Sequence, residues 1–290
     1  MTGKRALVLG VTGRIGSVLA KSLVQDDWRV YGAARLHSEN AHKHIAAEGI
    51  TPIRFDVTQD DPAGLPDVDV VFLEIWDPGQ PALMWDVNFF GVGRVVERYA
   101  GSADIVNGST INVYGDSPNL SSEETPPRPG NDYGRSRFAQ EKLIDYFCWR
   151  GGKKGIHVRY AHANTEHAGL LRRMADTILA GKSLGPNPDA RVQVITLEDA
   201  VRVTQAAVSR ATCPPVAVNC CHPRVWTYRQ LAETLQARLG RGEVIFDRES
   251  GGVEHSAYAD VSRMLAWFGE PQVSLETMFE RITQAVDDGQ

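Results

Sequence analysis

One short segment constrains the fold of this chain more than any other. Gly10-Val-Thr-Gly13-Arg-Ile-Gly16 follows directly on the apolar run Ala6-Leu-Val-Leu9. Behind it, apolar residues recur at Ile15, Val18, Leu19, Leu23 and Val24, the spacing of an amphipathic helix. Glycines between a buried strand and a helix allow a tight turn and close approach of the backbone to a ligand. The helix N-terminus adds unpaired N–H groups and the positive end of its dipole, which together suit a pyrophosphate. The pattern predicts a dinucleotide loop built from Gly10, Thr12, Gly13, Arg14, Ile15 and Gly16.

The alternation continues. Apolar runs at 30–34, 53–56, 68–73, 104–107 and 155–159 read as buried strands, and helices are expected near 86–99 and 133–149. Strand and helix in turn imply a parallel sheet covered on both faces, an α/β fold of the Rossmann-type doubly wound kind. After Arg159 the rhythm changes. A helix is expected at 168–180, a loop at 181–190, an exposed alternating strand at 191–196, a buried strand at 216–221, and surface helices at 227–239 and 274–286. The expected division is a dinucleotide-binding domain over 1–165, with returning segments near 191–222, and a small, sequence-interleaved C-terminal substrate lobe over 166–190 and 223–290.

The second strand selects among dinucleotides. An acid at its end would hold the adenosine ribose 2′-OH of NAD, whereas a base accommodates the 2′-phosphate of NADP. This strand ends Gly32-Ala33-Ala34-Arg35. Ala34 and Arg35 therefore favour NADP, with NAD as the alternative.

Composition narrows the partners. Of 290 residues, 42% are apolar and 23% charged, and 36 acids against 31 bases leave a net charge of −5. A mildly acidic chain has no broad electrostatic grip on nucleic acid or an anionic membrane, so a small-molecule substrate is expected. No window reaches membrane-spanning length. Cys148, Cys213, Cys220 and Cys221 show no metal or redox spacing, which suits a reducing cytoplasm. His42 with His44, and His162 with His167, have no convergent third ligand, so no metal is expected.

Residues 105–137 run Ile-Val-Asn-Gly-Ser109-Thr110-Ile-Asn-Val-Tyr-Gly, then a proline-rich loop, then Tyr133-Gly-Arg-Ser-Arg137. With Asp56-Val57 after the third strand, Asn88-Phe-Phe-Gly91, Glu198-Asp199-Ala200 and Asp260-Val-Ser-Arg, this order resembles the extended short-chain dehydrogenase/reductase family, also called the NAD-dependent epimerase/dehydratase family. The resemblance implies that Tyr133 exchanges a proton with a carbonyl or alcohol oxygen, that Thr110 holds the same oxygen, and that Arg137 stands where the family carries Lys. A phenol acts as acid or base near neutral pH when a neighbouring cation stabilises the phenolate. Tyr133 and Arg137, four apart, share a helix face, so the resemblance implies that Arg137 both stabilises the phenolate and reaches the nicotinamide ribose hydroxyls.

By the same resemblance Asp56, Val57, Ile75, Trp76, Asn88, Tyr133, Arg137 and His162 border the cofactor. The expected activity is hydride transfer between NADP(H) and a small carbonyl or secondary alcohol. A smaller substrate is favoured because only some forty residues separate Arg159 from Asp199. The alternatives are a sugar epimerase or dehydratase and a non-catalytic dinucleotide-binding regulator. The resemblance also implies a homodimer formed through the helices near 86–99 and 133–149, with Phe89, Phe90, Val96, Tyr146, Phe147 and Trp149 as its apolar contacts.

Overall fold

Seven strands form the central sheet: β1 (Arg5–Leu9), β2 (Arg29–Ala34), β3 (Thr51–Arg54), β4 (Val70–Leu73), β5 (Asp104–Thr110), β6 (Gly155–Tyr160) and, late in the chain, β10 (Val216–Cys220). A computed structural model describes residues 3–75, 81–117, 119–247 and 258–289. The spatial order is β10-β6-β5-β4-β1-β2-β3, and the sheet is parallel. β1 lies between β2 and β4, so the chain reverses direction of travel at β1, and the end of β1 is the switch point where such sheets take their ligands.

Helices α1 (Arg14–Gln25), α2 (Glu39–Ala47), α3 (Pro81–Trp85), α4 (Val92–Tyr99) and α5 (Asp132–Gly151) connect the strands. Among the described residues the chain divides into two compact units. The first comprises Met1–Val113, Pro129–Arg159 and Val201–Val218; the second comprises Tyr114–Arg128, Tyr160–Ala200 and Asn219–Gln290. The core of the first unit joins Leu7 and Leu9 of β1, Val71 and Leu73 of β4 and Ile105 of β5 to Val92, Val95, Val96, Ile144 and Phe147 of the helices. Alternate strand residues supply this face, as the period of two requires.

The second unit contains β7 (His162–Asn164), α6 (Leu170–Leu179), β8 (Arg191–Val192), β9 (Val194–Thr196), the start of α7 (Leu197–Ala207), β11 (Trp226–Thr227), α8 (Tyr228–Leu239), α9 (Ser262–Phe268) and α10 (Leu275–Asp287). Its core gathers Leu171, Met174 and Ile178 with Leu231, Leu235, Met278, Phe279 and Ile282. Residues 114–128, 160–165, 191–200 and 219–222, which the sequence pattern assigns to the dinucleotide domain, gather with this unit. Asn219 shows why. Its side chain donates to the carbonyls of Ser121 and Asp260 and accepts from the Tyr114 hydroxyl, and its backbone N–H donates to Glu123.

Three local expectations need correction. The alternation at 191–196 predicts an exposed strand, but the segment is buried from Val192 to Thr196. The polar position that produces the alternation, Gln193, is satisfied inside the unit by the carbonyls of His222 and Ala259 and the Ala259 N–H. The third strand begins two residues earlier than expected and ends at Arg54, because Asp56 closes a turn by accepting from the N–H and hydroxyl of Thr58. The helix expected near 86–99 is present but starts earlier, at Pro81, and its residues 86–91 are a π-helical segment between α3 and α4.

Candidate active site

The phosphate loop leaves β1 at Gly10, whose φ of +91° favours glycine. A Cβ there would also lie 2.5 Å from the carbonyl oxygen of Glu74. Gly13 donates its N–H back to the Gly10 carbonyl at 2.8 Å and caps α1 without a side-chain hydrogen bond. A Cβ on Gly16 would collide with the Gly10 carbonyl oxygen, so the first turn of α1 lies directly against the loop. Thr12 and Arg14 are exposed beside it, and Ile15 is half-buried. The first turn of a helix leaves backbone donors without intrahelical partners, and this one carries no acidic residue, so it fits an anionic pyrophosphate.

Arg35 is exposed just past β2, and Asp56 is half-buried just past β3. Burial raises the Asp56 carboxyl, but the Thr58 hydrogen bonds and the nearby Arg35 and Arg54 outweigh it and hold it below the usual carboxylate range. The Arg35 charge thus reaches Asp56 at this edge of the sheet. Val57 is buried, and its carbonyl lies 2.7 Å from the Cβ position of Gly91.

Thr110 ends β5, and Tyr133 stands in the first turn of α5. Thr110 is buried and its hydroxyl oxygen accepts the Asn112 N–H at 3.2 Å, which leaves the hydroxyl proton free to be donated elsewhere. Asn131 caps α5 by accepting the Gly134 N–H at 2.8 Å. The Cβ position of Gly134 is 2.6 Å from the Asn112 carbonyl oxygen, so a side chain at 134 would push α5 off the loop. Asn112 thereby links Thr110 to the first turn of α5, where Tyr133 stands half-buried. Asn88, fully buried in the π-helical segment, donates to the Ser136 hydroxyl at 3.1 Å, and Ser136 donates to the Tyr133 carbonyl at 2.9 Å. π-segments recur at functional sites, and this one aims an amide into α5.

Arg137 is only 2% exposed. Its Nη1 donates to the Ile75 carbonyl at 3.1 Å, while its Nε has no hydrogen-bond partner among the described residues. A buried, unpartnered donor of a charged group is costly unless something accepts from it, so the position fits a bound polar group. Trp76 lies outside the described residues. His162 is exposed on β7 of the second unit. No group of residues suited to a metal ion occurs among the described residues, and the four cysteines form no disulfide.

A network that sequence reasoning missed lies behind β5. Ser109 donates to Glu141 at 2.6 Å, and Arg159 donates to both oxygens of the same carboxylate at 3.0 and 2.7 Å. Gln140 donates to Asn107 at 3.0 Å, and Asn107 contacts His157, which contacts Asp145. Burial raises the Glu141 carboxyl, but His157, Arg159 and Ser109 together draw it below its usual value. The signal was present as polar residues on the inward face of α5, at the i, i+3 and i+4 spacing of Arg137, Gln140 and Glu141.

Residues 6–221 match the NAD dependent epimerase/dehydratase family. The chain belongs to that family. It is an NAD(P)-dependent enzyme of the short-chain dehydrogenase/reductase type, and a nicotinamide dinucleotide is the cofactor that its loop fits. A Methanocaldococcus jannaschii protein named as a candidate UDP-glucose 4-epimerase is 23% identical, covering 95% of this chain and 96% of its own. The dTDP-6-deoxy-L-talose 4-dehydrogenase (NAD(P)(+)) of Kitasatospora kifunensis is 28% identical over 81% of this chain and 79% of its own. Among solved structures, UDP-glucuronic acid 4-epimerase from Bacillus cereus, in complex with UDP-glucuronic acid and NAD, superposes with a TM-score of 0.83 at 20% identity. The match covers 99% of this chain and 100% of that one, and establishes a shared fold.

Among the described residues no helix is long and apolar enough to cross a membrane.

Proposed function

We propose that this family member carries out reversible hydride transfer between NADP(H) and a secondary alcohol or ketone carbon on the sugar of a nucleotide sugar. The observation that carries the chemistry is the junction of β5 and α5. Thr110, with its hydroxyl oxygen already accepting from Asn112, is set to donate its proton to a substrate oxygen. Tyr133, held by the Asn131 cap and the Ser136 bond, exchanges the proton as the carbon gains or loses hydride. The dinucleotide, when bound, supplies or accepts the hydride. The backbone of the Gly10–Gly16 loop and the start of α1 would hold its pyrophosphate, Arg35 its 2′-phosphate, and Arg137 would place cationic charge beside the reacting oxygen.

The substrate class rests on the relatives. The expectation of a smaller substrate relies on the short span from Arg159 to Asp199. That argument loses its force, because the UDP-sugar epimerase fold is matched over essentially the full length of both chains. Two curated relatives named for nucleotide-sugar chemistry support the same class. The test is a panel of UDP and dTDP hexoses and ketohexoses, followed by absorbance of the reduced nicotinamide and by NMR of the sugar. Net oxidation or reduction identifies a dehydrogenase, and epimer formation without net cofactor change identifies an epimerase. Turnover of simple ketones with none on any nucleotide sugar would refute the substrate class; tight dinucleotide binding with no turnover on any compound would favour a regulator.

A homodimer belongs to the same proposal. Phe90, Tyr146 and Trp149 expose 61, 50 and 68% of their surface, and Leu83 is exposed near Phe90 in sequence. Val96 and Phe147, expected at that interface, are instead part of the core of the first unit, where they pack on β4 and β5.

A further inference from the structure

Four side chains of the network behind β5 form a chain that has a direction. Asp145 of α5 ends it. Burial raises the Asp145 carboxyl, but His157 and Lys142 outweigh it and hold it below the ordinary carboxylate range, so it is an anion that only accepts. His157 Nε2, 3.0 Å away, is therefore the donor. At the other end of the chain Gln140 Nε2 donates to Asn107 Oδ1 at 3.0 Å, which turns the Asn107 NH2 group to His157 Nδ1 at 3.1 Å. An amide NH2 group only donates, so Nδ1 is a bare acceptor and the ring is the neutral Nε2–H tautomer. Every donor in the chain points toward Asp145.

A chain of this polarity ends on an oxygen. Gln140 is fully buried, and its Oε1 has no hydrogen-bond partner among the described residues. Arg137 lies one turn earlier on the same inward face of α5, and its Nε likewise lacks one. An acceptor and a donor thus stand unmatched on neighbouring turns, and a carbonyl oxygen favours a buried guanidinium either directly or through an ordered water. A second proton on His157 would reverse the chain. Nδ1–H would then need the Asn107 oxygen, Asn107 would offer its NH2 group to Gln140, and Gln140 would accept with Oε1 and turn its own NH2 group to where the oxygen stood. The charged groups packed about the ring are Asp145 with its partner Lys142, and Glu141 of the same helix with its partner Arg159 of β6. β5 carries Asp104, whose carboxylate accepts the Lys154 N–H, and β10, on the far side of β6, has no charged residue. Burial pushes the Cys148 thiol, one turn beyond Asp145, up to about 12, so it stays neutral.

We infer that Gln140 is a positioning residue for Arg137, presenting a carbonyl oxygen to it because Asn107, His157 and Asp145 fix the direction of its amide, and that a second proton on His157 reverses that direction. The inference rests on the proposed role of Arg137 beside the reacting oxygen, but its test reads the protein without substrate or dinucleotide. NMR of the imidazole nitrogens in the wild-type protein should show the neutral His157 ring protonated on Nε2 and bare on Nδ1. The Arg137 Nε–H signal, assigned by its loss in Arg137→Lys, should shift with pH in step with the second proton on His157. In Gln140→Met that signal should stay in place while His157 still titrates. A role confined to packing gives no such shift. A neutral ring protonated on Nδ1, a ring that gains no second proton while the protein stays folded, an Arg137 signal that does not follow the ring, or one that follows it equally in Gln140→Met overturns the inference; the wild-type measurements need no variant to fold. Turnover on the nucleotide-sugar panel separates the inference from the function. A shift in step with His157 together with wild-type turnover in Arg137→Met leaves Gln140 standing and removes Arg137 from the chemistry. Loss of turnover in Arg137→Met with no shift removes Gln140 and leaves the chemistry standing.

Discussion

Replacing Arg159 by Met isolates the ion pair behind β5. The Glu141 and Arg159 side chains are 1 and 6% exposed, and the guanidinium meets the carboxylate through two bonds. Without Arg159 the carboxylate stays buried with the Ser109 hydroxyl as its remaining close donor. Breaking one side of a buried pair costs about 3–5 kcal/mol, which for a domain of this size lowers Tm by roughly 6–20 °C. Removing both charges together, in Glu141→Leu/Arg159→Met, should cost much less than the sum of the single changes, because no uncompensated charge remains.

Chemical denaturation of wild type, the two single variants and the double variant at neutral pH measures the cycle, and a comparison of wild type with Glu141→Gln in acid adds an independent check. Glu141 titrates below its ordinary 4.5 in the folded protein. The stability it contributes is thus fully present above that value and disappears as pH falls through the lower folded one. The difference between wild type and Glu141→Gln should shrink over the same acid range. An Arg159→Met cost below about 1 kcal/mol, or strict additivity in the double variant, would refute the reasoning.

Other outcomes follow from the site. Arg35→Ala should weaken NADPH by about 1–3 kcal/mol and leave NADH nearly unchanged in a fluorescence titration, and equal losses would remove Arg35 from the 2′-phosphate. Tyr133→Phe should abolish hydride transfer in stopped flow while dinucleotide affinity stays within about twofold, since the phenol acts where charge develops on the oxygen. Arg137→Met should lose activity and cofactor affinity together, whereas Arg137→Lys should retain activity if cationic charge is what the site requires. Light scattering should give a dimer at micromolar concentration, reduced to a monomer by Phe90→Glu with Trp149→Glu; a monomeric wild type contradicts the assembly.

The parts of the fold legible in the sequence are those in which one physical preference dominates. Ala6–Leu9 are buried on both faces and read as a continuous apolar strand, and Ile15, Leu19 and Leu23 repeat at the helical period. Thr110, Tyr133 and Arg137 were visible as a motif, and the structure joins the first two through Asn112 and Gly134. Gln193 and Glu141 escaped because composition gives polar residues an exposed reading, while each makes three hydrogen bonds to distant parts of its own unit. Residues 86–91 escaped because a π-helical segment keeps the overall apolar spacing and differs from an α-helix in its hydrogen bonding. Gly108 escaped because a Cβ there would meet the Glu74 carboxylate, a requirement of space that neither φ nor local sequence reveals.

The inward face of α5 shows how these pieces depend on one another. Its later turns bury Ile144, Phe147 and Cys148, as expected of a helix on a sheet, but its earlier turns bury Gly134, Ser136, Arg137, Gln140 and Glu141. An apolar face holds a helix against a sheet while tolerating small slides, since dispersion and burial have little directionality. Hydrogen bonds to Asn88, Ile75, Asn107 and Ser109 do not tolerate them, because each weakens steeply with distance and angle. The end of α5 that carries Tyr133 is therefore the end fixed by directional contacts, and they reach the π-helical segment, the end of β4 and β5. A displacement of about 1 Å at a reacting group can cost two orders of magnitude in rate. The polar half of α5 thus has a function that the apolar half could not perform: it fixes where the phenol stands relative to Thr110.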